Sequence, residues 1–155
     1  MDKMSGNRFL VKLFSTLFFS GYFPLAPGTC GSLVTVILAW FLIPGESWLL
    51  VIITLIWLFV ALFIGREAER LFGHDDRKIN IDESAGMLLS IVWVPKKFIL
   101  YGVAFLLFRL YDIVKPPPIR GLEKIEGFGV TLDDLIAGLY ANVTLQILLA
   151  LRIFH

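Results

Sequence analysis

Ser47 to Ile64 is a run of 18 residues without a charge. As a helix it reaches about 27 Å, close to the thickness of the hydrocarbon layer of a bilayer. The remainder has the same character, with 57% hydrophobic residues and a mean hydropathy of +0.80. A chain of 155 residues supports one domain, 1–155, with one core if the bilayer supplies part of the solvent.

Other apolar segments flank that run. Ser32 to Ile43 is short and ends at the Pro44-Gly45 turn. Arg66 to Lys78 is polar, and its first part continues the preceding helix with solvated i,i+4 charge pairs. Ser84 to Val94, beginning near Asp82, has only eleven uncharged residues. At about 17 Å it is too short to cross alone and reads as re-entrant or as part of a longer helix. Phe98 to Val114 has membrane length but is broken late by Arg109 and Asp112. Lys115 to Thr131 is a Pro/Gly-rich loop, and Leu135 to Phe154 is the last long helix. Near the start, Arg8, Lys12, Ser15/Thr16 and Ser20 recur at helical spacing beside an apolar face of Phe9, Leu10, Leu13, Phe14, Leu17 and Phe18. That pattern predicts an amphipathic helix on the membrane surface or against the bundle. It is not a signal peptide, because Lys12 interrupts the apolar run and no cleavage site follows. The fold expected is all-α, a multi-helical integral membrane bundle with an N-terminal amphipathic helix.

Charge narrows the function. A net charge of +1 with scattered basic residues argues against nucleic acid. The single cysteine, Cys30, excludes an internal disulfide framework and a thiolate metal cluster. With the N-terminus in the cytosol and every later helix crossing, the inner segments hold Lys3, Arg8, Lys12, Arg66, Arg70, Arg77, Lys78, Lys115, Arg120 and Lys124, while Lys96, Lys97 and Arg152 lie outside. Ten against three favours this orientation. It places every acidic cluster on the cytosolic face of a multi-pass protein of the cell (inner) membrane.

Those clusters are the unusual feature. Asp82-Glu83, Asp112 and Asp133-Asp134 each stand at the end of an apolar stretch, where acids must be paired, hydrated or bound to a cation. One acid in a first turn is explained by capping and the helix dipole. Two adjacent acids are not, since neighbours on a helix point roughly 100° apart. Asp82 is followed at i+3 and i+4 by Ala85-Gly86, and Asp134 by Ala137-Gly138. Small residues on the acid's own face let two helices approach closely. The two helices are therefore expected to cross there, bringing Asp82, Glu83, Asp133 and Asp134 together around a divalent cation. Hard carboxylate ligands without histidine or cysteine select Mg²⁺ or Mn²⁺ over zinc.

Groups suited to an anion lie nearby. Arg109, Asp112 and Lys115 fall at i, i+3 and i+6, so Asp112 pairs with either base, and a structural ion pair is the plainer explanation. Pro116-Pro117-Pro118 then stops the helix, and a lysine fixed there suits phosphate as a point charge. In Pro27-Gly28-Thr29-Cys30-Gly31-Ser32, Gly28, Thr29 and Ser32 offer backbone N–H groups and hydroxyls to an anion, although Ser32 is equally an ordinary N-cap. His74 and His155 are expected at the surface.

Three stretches together resemble the phosphatidylglycerophosphatase A family: Gly21 to Ser32; Asp75 and Ile79-Asn80-Ile81-Asp82-Glu83 to Gly86; and Asp112-Ile113-Val114-Lys115-Pro116-Pro117-Pro118-Ile119 through Gly127-Phe128-Gly129 to Asp133-Asp134-Leu135-Ile136-Ala137-Gly138. The resemblance implies an all-helical, membrane-bound, Mg²⁺-dependent phosphatase that removes the terminal phosphate of phosphatidylglycerophosphate. It also implies a site containing Asp75, Asp82, Glu83, Asp112, Lys115, Asp133 and Asp134. The sequence departs from the family pattern at Asn80, Ser84 and Thr131, none of which removes an acid.

The expected enzyme holds Mg²⁺ on Asp82, Glu83, Asp133 and Asp134, and phosphate on Lys115 and the Gly28-Thr29 turn. Asp75 or Asp112 handles protons, and the substrate is a phospholipid seated in the bilayer. The alternative is a small membrane transporter of cations or phosphate using the same acids. Against it, the acids lie at helix ends rather than mid-helix, and no inverted repeat is visible.

Overall fold

The computed structural model describes residues 3–44, 48–73, 76–122 and 129–154. Among these residues all regular structure is helical: α1 (Lys3–Ser15), a 3-10 turn (Ser20–Tyr22), α2 (Pro27–Leu42), α3 (Trp48–Phe72), α4 (Ile81–Ser90), α5 (Phe98–Val114), α6 (Ile119–Leu122) and α7 (Gly129–Ala150).

The N-terminal helix is shorter than its polar periodicity implies. It ends at Ser15 because Leu17, Phe18 and Phe19 take positive φ of 44, 54 and 69°, a region that side chains with a Cβ enter only at a cost. Val11 and Phe14 pack against the bundle, while Phe9 and Leu10 stay exposed. The next helix begins five residues earlier than Ser32. Pro27, with φ already set for a helix and no N–H to lose, takes an N-terminal position, and Ser32 lies inside the helix rather than at its cap. The polar stretch after Ile64 does continue α3, with an exposed ion pair between Arg70 and Glu67 that is spaced i,i+3 rather than i,i+4. The range of α5 is the one expected. α7 starts one to two turns before Leu135 and ends at Ala150, so Asp133-Asp134 sit inside its second turn.

α3 and the Thr131–Ala150 stretch of α7 are long and apolar enough to cross a membrane. Their outer faces carry exposed Ile52, Ile56, Phe59 and Phe63 on α3, and Val143 and Ile147 on α7.

α4 is the centre of the arrangement, packing most extensively on α7 and then on α3 and α2. Its ten residues stop at Ser90. A helix that ends among apolar neighbours leaves carbonyls unpaired, and these need donors. α7 supplies them. The Asn142 amide donates to Ser90 O (3.1 Å) and Val92 O (2.7 Å), and Gln146 to Val92 O (3.3 Å) and Trp93 O (3.1 Å). The fourth segment is thus a short helix whose broken end is closed by side chains of its neighbour.

The bundle has two unlike ends. At one end Trp48 meets Trp93 edge-on, with ring centroids 4.9 Å apart, and the Lys96 ammonium donates to Ile43 O. At the other end the starts of α2, α4 and α7 gather with the end of α5, and every described acid singled out by the sequence is there.

Candidate functional site

Close approach of α4 and α7 builds the site. Gly86 and Gly138 face one another so tightly that a Cβ on Gly138 would overlap the Gly86 carbonyl. A Cβ on Gly86 would in turn strike the Asp134 carbonyl and the Phe108 ring. One turn toward the helix starts, this contact places Asp82 and Glu83 opposite Asp134. Each of the three offers a carboxylate oxygen within 4.8 Å of the others. The crossing inferred from the paired small residues is therefore present.

Asp82 and Asp134 are buried, at 2% and 5% exposure, and Glu83 is half-buried. Burial pushes the Asp82 carboxyl up from 3.8 to about 6. Burial, and then the charge of Asp82, raise Glu83 well above the usual carboxylate range. Asp82 Oδ1 accepts from the Glu83 N–H (3.0 Å), and Asp133 Oδ1 from the Asp134 N–H (2.9 Å). Glu83 Oε2 is buried with no hydrogen-bond partner. Three converging carboxylates, one with an orphaned oxygen, are a donor set that suits a hard divalent cation such as Mg²⁺.

Asp133 stands apart from this trio. Its Oδ2 accepts from Lys115 Nζ at 2.7 Å. Lys115 closes α5 in the left-handed conformation (φ 48°), with its N–H bonded to Tyr111 O. Pro116 follows, so the chain turns sharply and carries the ammonium across to α7. Of the two bases that flank Asp112, Arg109 is the one that pairs with it, at 2.7 Å. Arg109 Nη1 also reaches Ser32 Oγ at 3.5 Å, and its Nε is buried without a partner. The sequence marks Arg109 only as an ion-pair partner of Asp112. Its place one turn before Asp112 was the available signal for more.

A cavity of about 280 Å³ opens between these groups. Asp82, Glu83 and Asp134 line it together with Arg109, Asp112, Lys115 and Asp133, and Pro27, Gly28 and Thr29 from the start of α2 complete the lining. The Gly28 and Thr29 N–H groups belong to the first turn of α2, where no preceding helical carbonyl is available. A Cβ on Gly28 would meet Glu83 Oε1, so the glycine leaves that carboxylate its place. Ser32 is fully buried behind this turn and donates to Gly28 O at 2.8 Å, so it braces the turn and does not line the cavity. Asp76 and Arg77 also line the cavity and were not singled out by the sequence. Asp75, His74, His155, Gly127 and Phe128 lie outside the described residues.

The three unusual residues take local polar roles. The Asn80 amide donates to Ser20 Oγ (3.2 Å) and Pro27 O (2.9 Å), tying the start of α2 to the start of α4. Ser84 Oγ accepts from Trp57 Nε1. Thr131 is buried where α7 passes Gly65 of α3.

The family model for phosphatidylglycerophosphatase A matches residues 13–149. A Bacteroides thetaiotaomicron protein provisionally named a phosphatidylinositol-3-phosphatase is 33% identical over 153 residues, covering 93% of this chain and 96% of that one. A Haemophilus influenzae protein named phosphatidylglycerophosphatase A is 36% identical over 140 residues, 86% of this chain and 85% of its own. An Escherichia coli protein of the same name is 31% identical over 126 residues, 78% and 73% of the two chains. No solved structure matches the chain.

Proposed function

We propose, from the premise that this chain belongs to the phosphatidylglycerophosphatase A family and is a phosphoric monoester hydrolase, that it removes the terminal phosphate of phosphatidylglycerophosphate in a Mg²⁺-dependent reaction. The products are phosphatidylglycerol and inorganic phosphate. What supports this most is one cavity lined both by a carboxylate trio and by two cations, each ion-paired to an acid.

Asp82, Glu83 and Asp134 would hold the ion, with Asp133 flanking them through Lys115. A bound Mg²⁺ neutralises phosphate charge and polarises a water. The remaining work falls to the chain. Lys115 and Arg109 meet the phosphate oxygens, and the free Gly28 and Thr29 N–H groups add donors at the positive end of α2. Asp133 and Asp112 orient those two cations, so neither has to be ordered when substrate arrives. Asp112 is also close enough to the cavity to take a proton from the attacking water or return one to the leaving alcohol, a role for which Asp75 is the other candidate.

The two-ended bundle and its apolar helices support a membrane setting for this reaction. Residues 1–155 form one membrane-embedded, multi-pass domain in the cell (inner) membrane, with the acidic end at the cytosolic headgroup level. α1 lies along that surface. A monoester protruding from a lipid still seated in the bilayer then enters the cavity without leaving the membrane. The transporter reading is not favoured, because the acids are confined to one end of the bundle and the family is enzymatic.

Purified protein should release inorganic phosphate from phosphatidylglycerophosphate with Mg²⁺ present and lose that activity in excess EDTA. Turnover unaffected by chelation would remove the metal role. Hydrolysis of phosphatidylinositol 3-phosphate in place of phosphatidylglycerophosphate would move the substrate to the other lipid.

A further inference from the structure

We propose that the groove between α2 and α5 seats one acyl chain of the lipid whose phosphate enters the acidic cavity. The proposal rests on the lipid phosphatase reading above. The groove holds about 380 Å³, and its walls are almost wholly apolar, with Leu33, Val36 and Ile37 from α2 and Tyr101, Gly102 and Phe105 from α5.

Its position identifies the occupant. On a helix, residues four apart share a face. Leu33 is one turn beyond Thr29, and Phe105 is one turn before Arg109. Thr29 and Arg109 both line the polar cavity. The two helices that present phosphate-binding groups at one end therefore carry the groove onward from the same place. Along this path the wall changes from charged and hydrogen-bonding to hydrocarbon within a single turn. A phospholipid has that same order of chemistry, and a free phosphate or a soluble phosphate ester has nothing to place beyond the first turn.

The groove is also of limited length. At the end remote from the acids Trp40 packs edge-on against Tyr101 and Phe98, with centroids 5.6 and 6.2 Å apart, and Lys96 lies over its ring. Leu33 to Trp40 spans about 10 Å of helix rise. That holds the upper part of one chain. The rest of that chain, and the second chain, remain in the bilayer.

Gly102 provides the means of testing. A Cβ there would meet nothing within 4 Å, so a larger side chain at 102 has the groove itself as free space. The opposite side offers Ile37, which is 46% exposed and lines the groove.

The experiment compares kcat/KM of the full chain in mixed micelles on two substrates, dioleoyl phosphatidylglycerophosphate and its dibutanoyl analogue. The wild type should prefer the long-chain substrate. Gly102→Trp and Ile37→Trp should each shrink the long-to-short ratio by on the order of tenfold, the scale of a lost hydrophobic-pocket contact. A ratio unchanged in both variants overturns the proposal and means that bulk lipid fills the groove. An equal loss on both substrates in both variants overturns it too, since the groove would then act through the site or the fold. No hydrolysis of either substrate by the wild type would instead overturn the phosphatase reading, and the groove proposal with it.

Discussion

Gly138 lies against the carbonyl of Gly86 at a distance that leaves no room for a Cβ. The carboxylate trio depends on that contact, because it sets how far Asp134 stands from Asp82 and Glu83. Gly138→Ala should lower stability by about 1–3 kcal/mol, the usual cost of overpacking, and should reduce phosphate release by spreading the trio. Gly121→Ala, at a position with nothing within 4 Å, should do neither. Thermal melts and initial rates on the two variants make the comparison. Equal behaviour would mean that α4 and α7 adjust freely around the small residues.

Asp82→Asn and Asp134→Asn remove ligand charge while keeping shape. Both should abolish Mg²⁺-dependent turnover in a protein that remains folded, and near-normal activity in either would make that residue a helix-end acid without a role in binding the ion. The ion-free wild type should also show a pH signature. Folded Asp82 binds its proton more tightly than the unfolded chain does, at about 6 against 3.8. The stability this confers is complete below pH 3.8 and is lost as pH rises through 6. Melting temperature in EDTA should thus fall across that window. Added Mg²⁺ should raise it more at pH 7 than at pH 5, because protons compete for the same oxygens. A flat profile in Asp82→Asn would assign the effect to this residue.

Lys115 is tied to Asp133 at 2.7 Å and turned toward the cavity by its left-handed backbone. If it meets charge that develops on the transferred phosphoryl group, Lys115→Ala should depress kcat more than it raises KM. Loss of one such contact in a partly dry site costs about 2–4 kcal/mol of barrier, roughly 30- to 1000-fold in rate. Lys115→Arg should rescue only in part, since a planar fork does not replace a compact ammonium. A wild-type rate in the alanine variant would leave the phosphate to Arg109 and the α2 turn.

Orientation in the membrane is open to direct labelling. In a Cys30→Ser background, single cysteines at Arg70 and at Arg120 should both react with an impermeant maleimide only from the cytosolic side. The two positions flank the acidic end on α3 and α6. Labelling from opposite sides would break the shared-site model, because the two segments could not then border one cavity.

Much of the architecture is a local property of the chain. The uncharged run from Ser47, its charged continuation and the membrane-length stretch from Phe98 are read correctly because hydropathy and helical spacing act within a few residues. The pairing of Ala85-Gly86 with Ala137-Gly138 was legible for a similar reason, since a small residue four positions after an acid shares its face. Helix ends were less so. Pro27 and Gly129 start their helices earlier than the apolar pattern does, because a helix start is decided by backbone donors and capping rather than by hydropathy.

What only the tertiary structure decided is which charge meets which. Spacing leaves Asp112 free to take Arg109 or Lys115. The left-handed turn at Lys115 sends that ammonium across to Asp133 and leaves Arg109 to Asp112. The same is true of Asn142 and Gln146, two unremarked amides in an apolar helix until α4 ends beside them with carbonyls to fill. The sequence by itself determined the helices, the polarity of their ends and the acids available to a cation, because propensity and burial act locally. The Lys115–Asp133 ion pair and the hydrogen bonds of Asn142 and Gln146 join residues 18 to 54 positions apart, and their geometry exists only once the helices have packed.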